Sequence, residues 1–493
     1  MATPAARGLA LPGFKMLAAT PPMRTAPPPA VAVLPLNQHT GAPAIPCIHV
    51  GERVLLGQCV ARAAEGVSAS VHAPVAGKVT AIEDRPAPHV GGAPTLSIVI
   101  DNDGSDECAN ALIEPGTALQ LAPEVLRERI QAAGIVGLGG AVFPTGIKLT
   151  RGPRQRIEEL LINAAECEPY ISCDEAALRE RAADLVRGVA VVLHALTAER
   201  CTIALEADKT RAIAALQQAL AAAADARIGI RIVPPIYPSG AERQLITLLY
   251  GREVPADGVP TDIGIVCQNV GTVLAIADLD TNGLPLIERI VTVTGHGVRQ
   301  PANVVVRLGT RIGDLIEFCG GYTADAARLI MGGSMMGIAL PHDDLPVVKA
   351  TNCLLVASDQ DLRPRSPEMP CIRCGECATV CPAGLLPQQL HWAARERDLD
   401  GLTRLGLEDC IECGCCDYVC PSQIPLATRF RSAKGMLCER SETRERAERA
   451  GHRYDVRAQR LEAAAAAREQ RLKEKRRSAR RPADADPDPG PDR

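Results

Sequence analysis

The chain has 493 residues with 46% apolar content, which is too long for one hydrophobic core and implies several domains. A formal charge of -4, a pI near 6.2 and only 2% aromatic residues argue against nucleic-acid binding, which needs a basic surface and stacking rings. Nineteen cysteines in a chain whose start, "MATPAARGLALPGFKMLAAT", is broken by Arg7 and Lys15 and so does not read as an export signal point to a reducing compartment, where thiols bind metals or fill cores. No apolar run reaches the length of a membrane span; the best, "GVAVVLHALT", is short and flanked by Arg187 and Glu199.

From residue 33, "VLPLNQHTGAPAIPCIHVGERVLLGQCVA" and "SVHAPVAGKVTAIE" have the short strands and turning glycines of a biotinyl or lipoyl barrel-sandwich. The hairpin "ARAAEGVSASVH" carries no lysine and Lys78 falls in the following strand. The expected role is therefore structural or docking and not that of a swinging arm.

Residues 134–148, "GIVGLGGAVFPTGIK", form a glycine-rich loop. Gly137, Gly139 and Gly140 let backbone amides face a phosphate or flavin edge, Phe143 offers a flat apolar face and Lys148 a cation. The loop is not the G-x-G-x-x-G dinucleotide fingerprint, and alone it reads equally as a plain turn. Behind the apolar run Leu160 to Ile162 come Asn163, Glu166 and Glu168; two later strand ends carry Tyr237, Ser239, Gly240 and Glu242, then Gln268, Asn269 and Thr272. Polar groups gathered after the strands of an α/β sheet mark a ligand site. Ser239 and Asn269 read just as well as helix caps.

"CIRCGECATVCP" and "CIECGCCDYVCP" repeat C-x2-C-x2-C-x3-C-P. In this spacing three thiolates hold one cubane and the fourth, before proline, reaches the other cluster. Cys371, Cys374, Cys377 and Cys420 are thus expected to hold one 4Fe-4S cluster, and Cys410, Cys413, Cys416 and Cys381 the second. Zinc knuckles lack a third cysteine in step. Cys415 is left over, as are Cys167 and Cys173, and the expected role of these is to fill cores. The spacer "GLLPQQLHWAARERDLDGLTRL" has helical periodicity, with Leu385, Leu386, Leu390 and Trp392 as packing residues. After Arg440 a helix rich in Ala, Glu and Arg gives way to "ADADPDPGPDR", a tail expected to be disordered. The basic end Lys473 to Arg481 is either simply solvated or a contact for lipid or a membrane subunit.

The motifs "GLGGAVFPTGIKL", "INAAECEPY", "YPSGAERQL", "QNVGT" and the doubled cysteine run, in this order, resemble the C subunit of the Rnf (Rsx) electron-transport complex. The middle of the chain is similar to the NADH-binding flavoprotein subunit of respiratory complex I. The resemblance implies a multidomain α/β and α+β protein. Its parts would be an N-terminal extension (1–32), a barrel-sandwich domain (33–120) and a Rossmann-like FMN/NAD(H)-binding domain (121–287). A β-grasp module (288–345), a helical ferredoxin-type domain with two 4Fe-4S clusters (346–440) and a charged helix with its tail (441–493) would follow. By position, Gly137, Gly139, Gly140 and Lys148 would surround the flavin phosphate and ring, and Asn163, Glu166, Gln268, Asn269 and Thr272 would complete its contacts, with Tyr237 and Ser239 beside them. Glu168, Glu242 and Phe143 would lie toward the nicotinamide. Val142 stands where the family usually has glycine, and Ala165 where the complex I relative is acidic.

The activity implied is exchange of hydride between NAD(H) and FMN with relay of single electrons through the two clusters. The setting implied is the cytoplasmic face of a bacterial inner membrane, with subunits A, B, D, E and G as partners, ferredoxin or flavodoxin reached through them, and only indirect contact with lipid. The rival reading is a non-enzymatic iron-sulfur wire that has lost nucleotide binding.

Overall fold

A computed structural model of the chain describes residues 7–89, 92–150, 156–362 and 366–479; the tail 480–493, including Arg480 and Arg481 of the basic end, lies outside them. The chain divides into two compact units, residues 1–389 with 409–427, and residues 390–408 with 428–493.

In the first unit, the amino-terminal strands form two small antiparallel sheets. One orders Val31–Pro35, Pro94–Asn102, Gly77–Pro86 and Arg53–Val54; the other orders Ile45–Pro46, Cys59–Arg62 and Val71–His72. Gly77 is where the chain must pass closely, since a Cβ there would lie 1.9 Å from the Asp101 carbonyl oxygen. Lys78 sits within its strand opposite Arg53.

A four-stranded parallel sheet follows, in the order Ile228–Val233, Arg200–Glu206, Glu159–Ala164, Ile265–Asn269. Alternation along its strands covers both faces. Leu160, Ile162, Ile203 and Val266 pack with the helices Ala182–Leu196 and Val270–Asn282, while Leu161, Ala204 and Cys267 pack with Leu245 and Ile246 of Glu242–Tyr250. Each such buried Leu or Ile contributes about 1.5–3 kcal/mol. The chain steps outward from Glu159–Ala164 across two strands and returns on its other side at Ile265–Asn269. Strand order therefore reverses between these two, which opens a crevice at their carboxyl ends.

The third layer is a six-stranded mixed sheet, ordered Arg24–Thr25, Ala302–Arg307, Glu288–Thr294, Cys353–Ser358, Ala326–Met331, Ile338–Ala339, with the helix Ile312–Phe318 on its core. Two members come from outside the segment expected to form it. Arg24–Thr25 belongs to the amino-terminal stretch, and Cys353–Ser358, placed by sequence with the cysteine-rich segment, pairs with Glu288–Thr294 and Ala326–Met331. All six residues of Cys353–Ser358 are buried, so this strand reads as a continuous apolar run with no periodicity to mark which sheet it joins.

Lys349, fully buried just before that strand, ties three layers together. Its Nζ donates to the carbonyls of Ser70 and Gly134 at 2.7 Å each, and its backbone N–H donates to Gln38 Oε1. Burial lowers its pKa to about 7, and the two N–H donors of a neutral amine match the two carbonyls. Because the folded pKa lies below the unfolded one, the unfolded chain binds more protons between the two. Stability contributed at this site therefore rises as pH climbs from about 7 toward 10.5. His39 and His72 beside it have lowered pKa values, by burial first and the Lys349 charge second, and stay neutral in that window. Chemical denaturation of Lys349→Met should show a stability deficit relative to the parent that is larger at about pH 10 than at about pH 7. An equal deficit at both would place the titration elsewhere.

In the second unit the helix Leu399–Arg404 is capped by Asp398, which accepts from Gly401 N–H. The long helix Leu426–Ser478 belongs almost wholly to this unit and is solvent-exposed from Cys438 nearly to its end, with i to i+4 pairs Glu442–Arg446, Arg444–Glu448 and Glu469–Lys473. Leu390, as expected, is buried, but Leu386 and Trp392, expected to pack as well, are exposed, Trp392 under Arg395.

Candidate functional site

The crevice between the carboxyl ends of Glu159–Ala164 and Ile265–Asn269 gathers most of the residues singled out by sequence. Residues 137–143 close into a loop by Gly137 N–H to Phe143 O at 2.9 Å and Val142 N–H to Gly137 O at 3.1 Å. Its tip, Gly139 to Ala141, is exposed. Gly139 packs so closely that a Cβ would lie 3.2 Å from Asn269 Cβ, whereas Gly140, at φ +118°, has open space around it. Val142 takes the left-handed conformation, φ +44°, that glycine adopts freely, so the loop keeps its shape at a cost on the order of 1 kcal/mol. Thr272, fully buried, accepts from Leu138 N–H at 2.9 Å and fixes the loop on the start of Val270–Asn282.

Asn163 accepts from Ala165 N–H and donates to Gly240 O at 2.7 Å, joining the ends of two strand-to-helix connections. Gly240 has no room for a side chain there, a Cβ lying 2.2 Å from Ala165 O. Asn269 is the helix cap that the plainer reading expects: its Oδ1 accepts from Gly271 N–H, and its Nδ2 donates to Asp174 at 2.6 Å. Ser239 is not a cap. The helix Glu242–Tyr250 starts from Ala241, and Ser239 Oγ is buried with no partner among the described residues. Gln268 Nε2, Thr145 Oγ1 and Glu166 Oε2 are likewise buried without a hydrogen bond. Orphaned donors and acceptors beside an exposed glycine tip suit a polar ligand such as FMN, which brings phosphate, hydroxyl and ring groups to satisfy them.

Lys148 and Glu242 meet at the mouth, Nζ to Oε1 2.5 Å, both partly exposed. Glu166 is buried; its Oε1 accepts from Asp174 N–H at 2.8 Å. Asp174, missed by sequence, has its pKa raised to about 7 by burial first and the Glu166 charge second. Glu166, Asp174 and Cys173 stand close together, with the buried guanidinium of Arg289 acting on Cys173 and Asp174.

Glu168 does not share the outlook of Glu166. Residues 165–168 are not a strand, and the two side chains diverge. Glu168 Oε1 accepts from Met335 and Met336 N–H at 2.8 and 2.9 Å, in the turn after Ala326–Met331, and Gly333 makes room for it. Burial pushes its carboxyl up, while the backbone N–H donors of Met336 and Met335 pull the other way.

Tyr237 turns away from the crevice toward the cysteine-rich segment. Its ring is buried and its hydroxyl donates to Cys413 O at 2.6 Å, in a cluster with Cys415, Cys167, Met335 and Ile411. The two cysteine runs fold alike: Arg373 and Glu412, Gly375 and Gly414, and Gly384 and Gln423, at matching positions, all have φ between +53° and +85°. Cys377 is pushed up by burial, with Cys374 and Cys371 adding to the shift. Cys416 is raised by burial first, with Cys413, Cys410 and Cys381 among its close neighbours. Cys381 thus stands with the second run. Met369 N–H to Ser422 O and Ser422 Oγ to Pro370 O, both 2.9 Å, bring the segment after Cys420 to the start of the first run. Thiols gathered in two like frames, with Cys381 beside the second, suit iron-sulfur ligation. Cys415, fully buried, occupies the place of Glu376 in the other half.

Residues 4–105 match the family described as RnfC Barrel sandwich hybrid domain, 130–278 the Nuo51 FMN-binding domain, 290–339 the SLBB domain and 370–424 the 4Fe-4S dicluster domain. The C subunit of an ion-translocating oxidoreductase complex from Pseudomonas aeruginosa is 46% identical over 92% of this chain and 58% of its own length. Its counterpart from Vibrio cholerae is 46% identical over 90% and 57%, and that from Rhodobacter capsulatus 42% identical over 85% and 80%. The chain spans less than two thirds of the first two relatives. No helix among the described residues is long and apolar enough to cross a membrane.

Proposed function

The chain belongs to the family of C subunits of ion-translocating oxidoreductase complexes, and we propose that it exchanges hydride between NAD(H) and FMN and relays single electrons through two 4Fe-4S clusters. FMN, when bound, supplies the conversion between two-electron hydride exchange and one-electron relay. The residues of the chain hold and orient. In this reading the amides of Gly139 and Gly140 and the Lys148 ammonium take the phosphate end, and Ser239, Gln268 and Thr145 meet the orphaned positions around the rest. Glu166 Oε2, an acceptor with no donor, takes an N–H or hydroxyl of the ligand. Glu242 and Phe143 are assigned to the nicotinamide side. Glu168 is assigned instead to anchoring the Met335–Met336 turn, because both its donors are already backbone N–H groups.

The observation that carries the proposal is the hydrogen bond from Tyr237 to Cys413 O, which joins the strand end bearing Ser239 directly to a cluster ligand. It makes the cluster of Cys410, Cys413, Cys416 and Cys381 the inner one. The cluster of Cys371, Cys374, Cys377 and Cys420, with Cys374 exposed, is then the outlet. Val142 holding the glycine-like conformation supports a loop that still binds, against the wire-only reading. The partners in this proposal are the membrane complex's other subunits, and beyond them ferredoxin or flavodoxin, from the cytoplasmic face.

Anaerobic reconstitution with iron, sulfide and FMN tests the whole. One flavin and about eight irons per chain, with NADH bleaching both flavin and cluster absorbance, are expected. Eight irons without flavin binding would leave only the wire.

A further inference from the structure

The residue before the first helix, Lys15, comes from a stretch whose sequence alone only argues against a signal peptide. Residues 9–26 lie across the flavin domain and the mixed sheet. Leu9 forms an antiparallel bridge with Tyr237, and Tyr170 N–H donates to Gly13 O at 2.7 Å. The Phe14 ring stacks on Tyr170 at 4.9 Å, Asn303 donates to Ala18 O, and Arg24–Thr25 pairs with Ala302–Arg307. Phe14 has φ +50°, a conformation L side chains rarely adopt, and this bend turns the next side chain inward. Lys15, whose side chain is 11% exposed, ends among the carbonyls of Glu166, Glu168 (3.0 Å) and Ile171.

An ammonium has three N–H donors, and here three carbonyls take them. That explains why Glu166 Oε2, 3.6 Å from Nζ, is an ion-pair partner yet has no hydrogen bond of its own: the donors are already engaged. The same cation acts on Glu206, Asp174 and Glu168, the acids around this loop, alongside Lys209 at Glu206 and Arg289 at Asp174. A solvated surface lysine would have neither the burial nor three convergent acceptors.

We propose that Lys15 is a positioning residue for the flavin site, its ammonium gathering the Glu166, Glu168 and Ile171 carbonyls into one turn and holding the Glu166 carboxylate toward the crevice. The inference rests on the flavin reading above and adds to it the residue that shapes the acidic loop. The strap thereby couples the mixed sheet to the ligand crevice.

The test uses the full chain carrying its clusters, with FMN affinity measured by flavin fluorescence and the flavin midpoint potential by titration. Lys15→Met should weaken FMN binding about tenfold to a hundredfold, the range for a charge-assisted hydrogen-bonding group, with iron content unchanged. The midpoint should fall as a cation leaves the neighbourhood of an electron acceptor. Lys15→Arg keeps the charge and guards against a folding failure. Its planar fork cannot aim donors at three convergent carbonyls, so a smaller loss of affinity is expected. FMN affinity and midpoint in both variants equal to the parent would overturn the proposal. A parent that binds no FMN would instead defeat the flavin reading itself.

Discussion

Cys413→Ser and Cys374→Ser are each expected to lower iron from about eight to about four atoms per chain, yet to differ in what NADH can reduce. Cys413 lies under the Tyr237 hydroxyl and packs with Tyr237, Cys415 and Cys167, whereas Cys374 is exposed. Electron transfer falls steeply with distance, so the surviving cluster in Cys374→Ser, the inner one, should still be reduced by NADH. In Cys413→Ser the surviving outer cluster should accept electrons from dithionite but not from NADH. Cys415→Ser should keep all the iron, because Cys415 takes the place of Glu376 in the other half. Rapid NADH reduction in Cys413→Ser would reverse the assigned order of the clusters. Loss of iron in Cys415→Ser would break the assignment of ligands.

The two cysteine runs could be read directly because the chemistry fixes their spacing locally: three ligands to one cubane come from seven consecutive residues, and no tertiary information is needed. The crevice was legible for a related reason, since Asn163, Gln268 and Asn269 stand at the carboxyl ends of short apolar strands, where parallel sheets bind. What failed to show is whatever depends on contacts between distant segments. Glu166 and Glu168 are two residues apart, a spacing that would face both one way if the stretch were extended. The chain leaves the strand at Ala164, and the backbone N–H groups of Met335 and Met336, far along the sequence, decide where Glu168 points. Lys15 gave no signal at all, because its three partners are carbonyls, which every residue possesses. Asn269 and Ser239 looked alike as helix caps, and only the position of the first turn after each separates a cap from an unpartnered buried hydroxyl. Val142 stands where glycine is usual, and only the three-dimensional structure shows that the left-handed conformation is kept there at a modest strain.

Lys148→Ala is expected to weaken FMN binding about tenfold to a hundredfold, corresponding to about 1.5 to 3 kcal/mol for hydrogen bonding by a charged group. The upper part of that range needs discounting. Lys148 is a quarter exposed and already engaged by Glu242 at 2.5 Å, so solvent and the carboxylate both moderate its pull on a phosphate. The pair therefore has to be taken apart from both sides. Glu242→Gln keeps the shape and removes the charge, freeing the ammonium, so FMN should bind as tightly as in the parent or more tightly. NADH-driven flavin reduction should fall in the same variant if Glu242 faces the nicotinamide. The double variant should show the affinity of Lys148→Ala, because the Glu242 charge acts on FMN only through Lys148. Iron content should be the same in all three, since none of these atoms touches the cysteine segment. Flavin affinity in Lys148→Ala equal to that of the parent, with binding in Glu242→Gln also unchanged, would reduce the 2.5 Å contact to a surface ion pair and move the phosphate site to the loop amides of Gly139 and Gly140 alone.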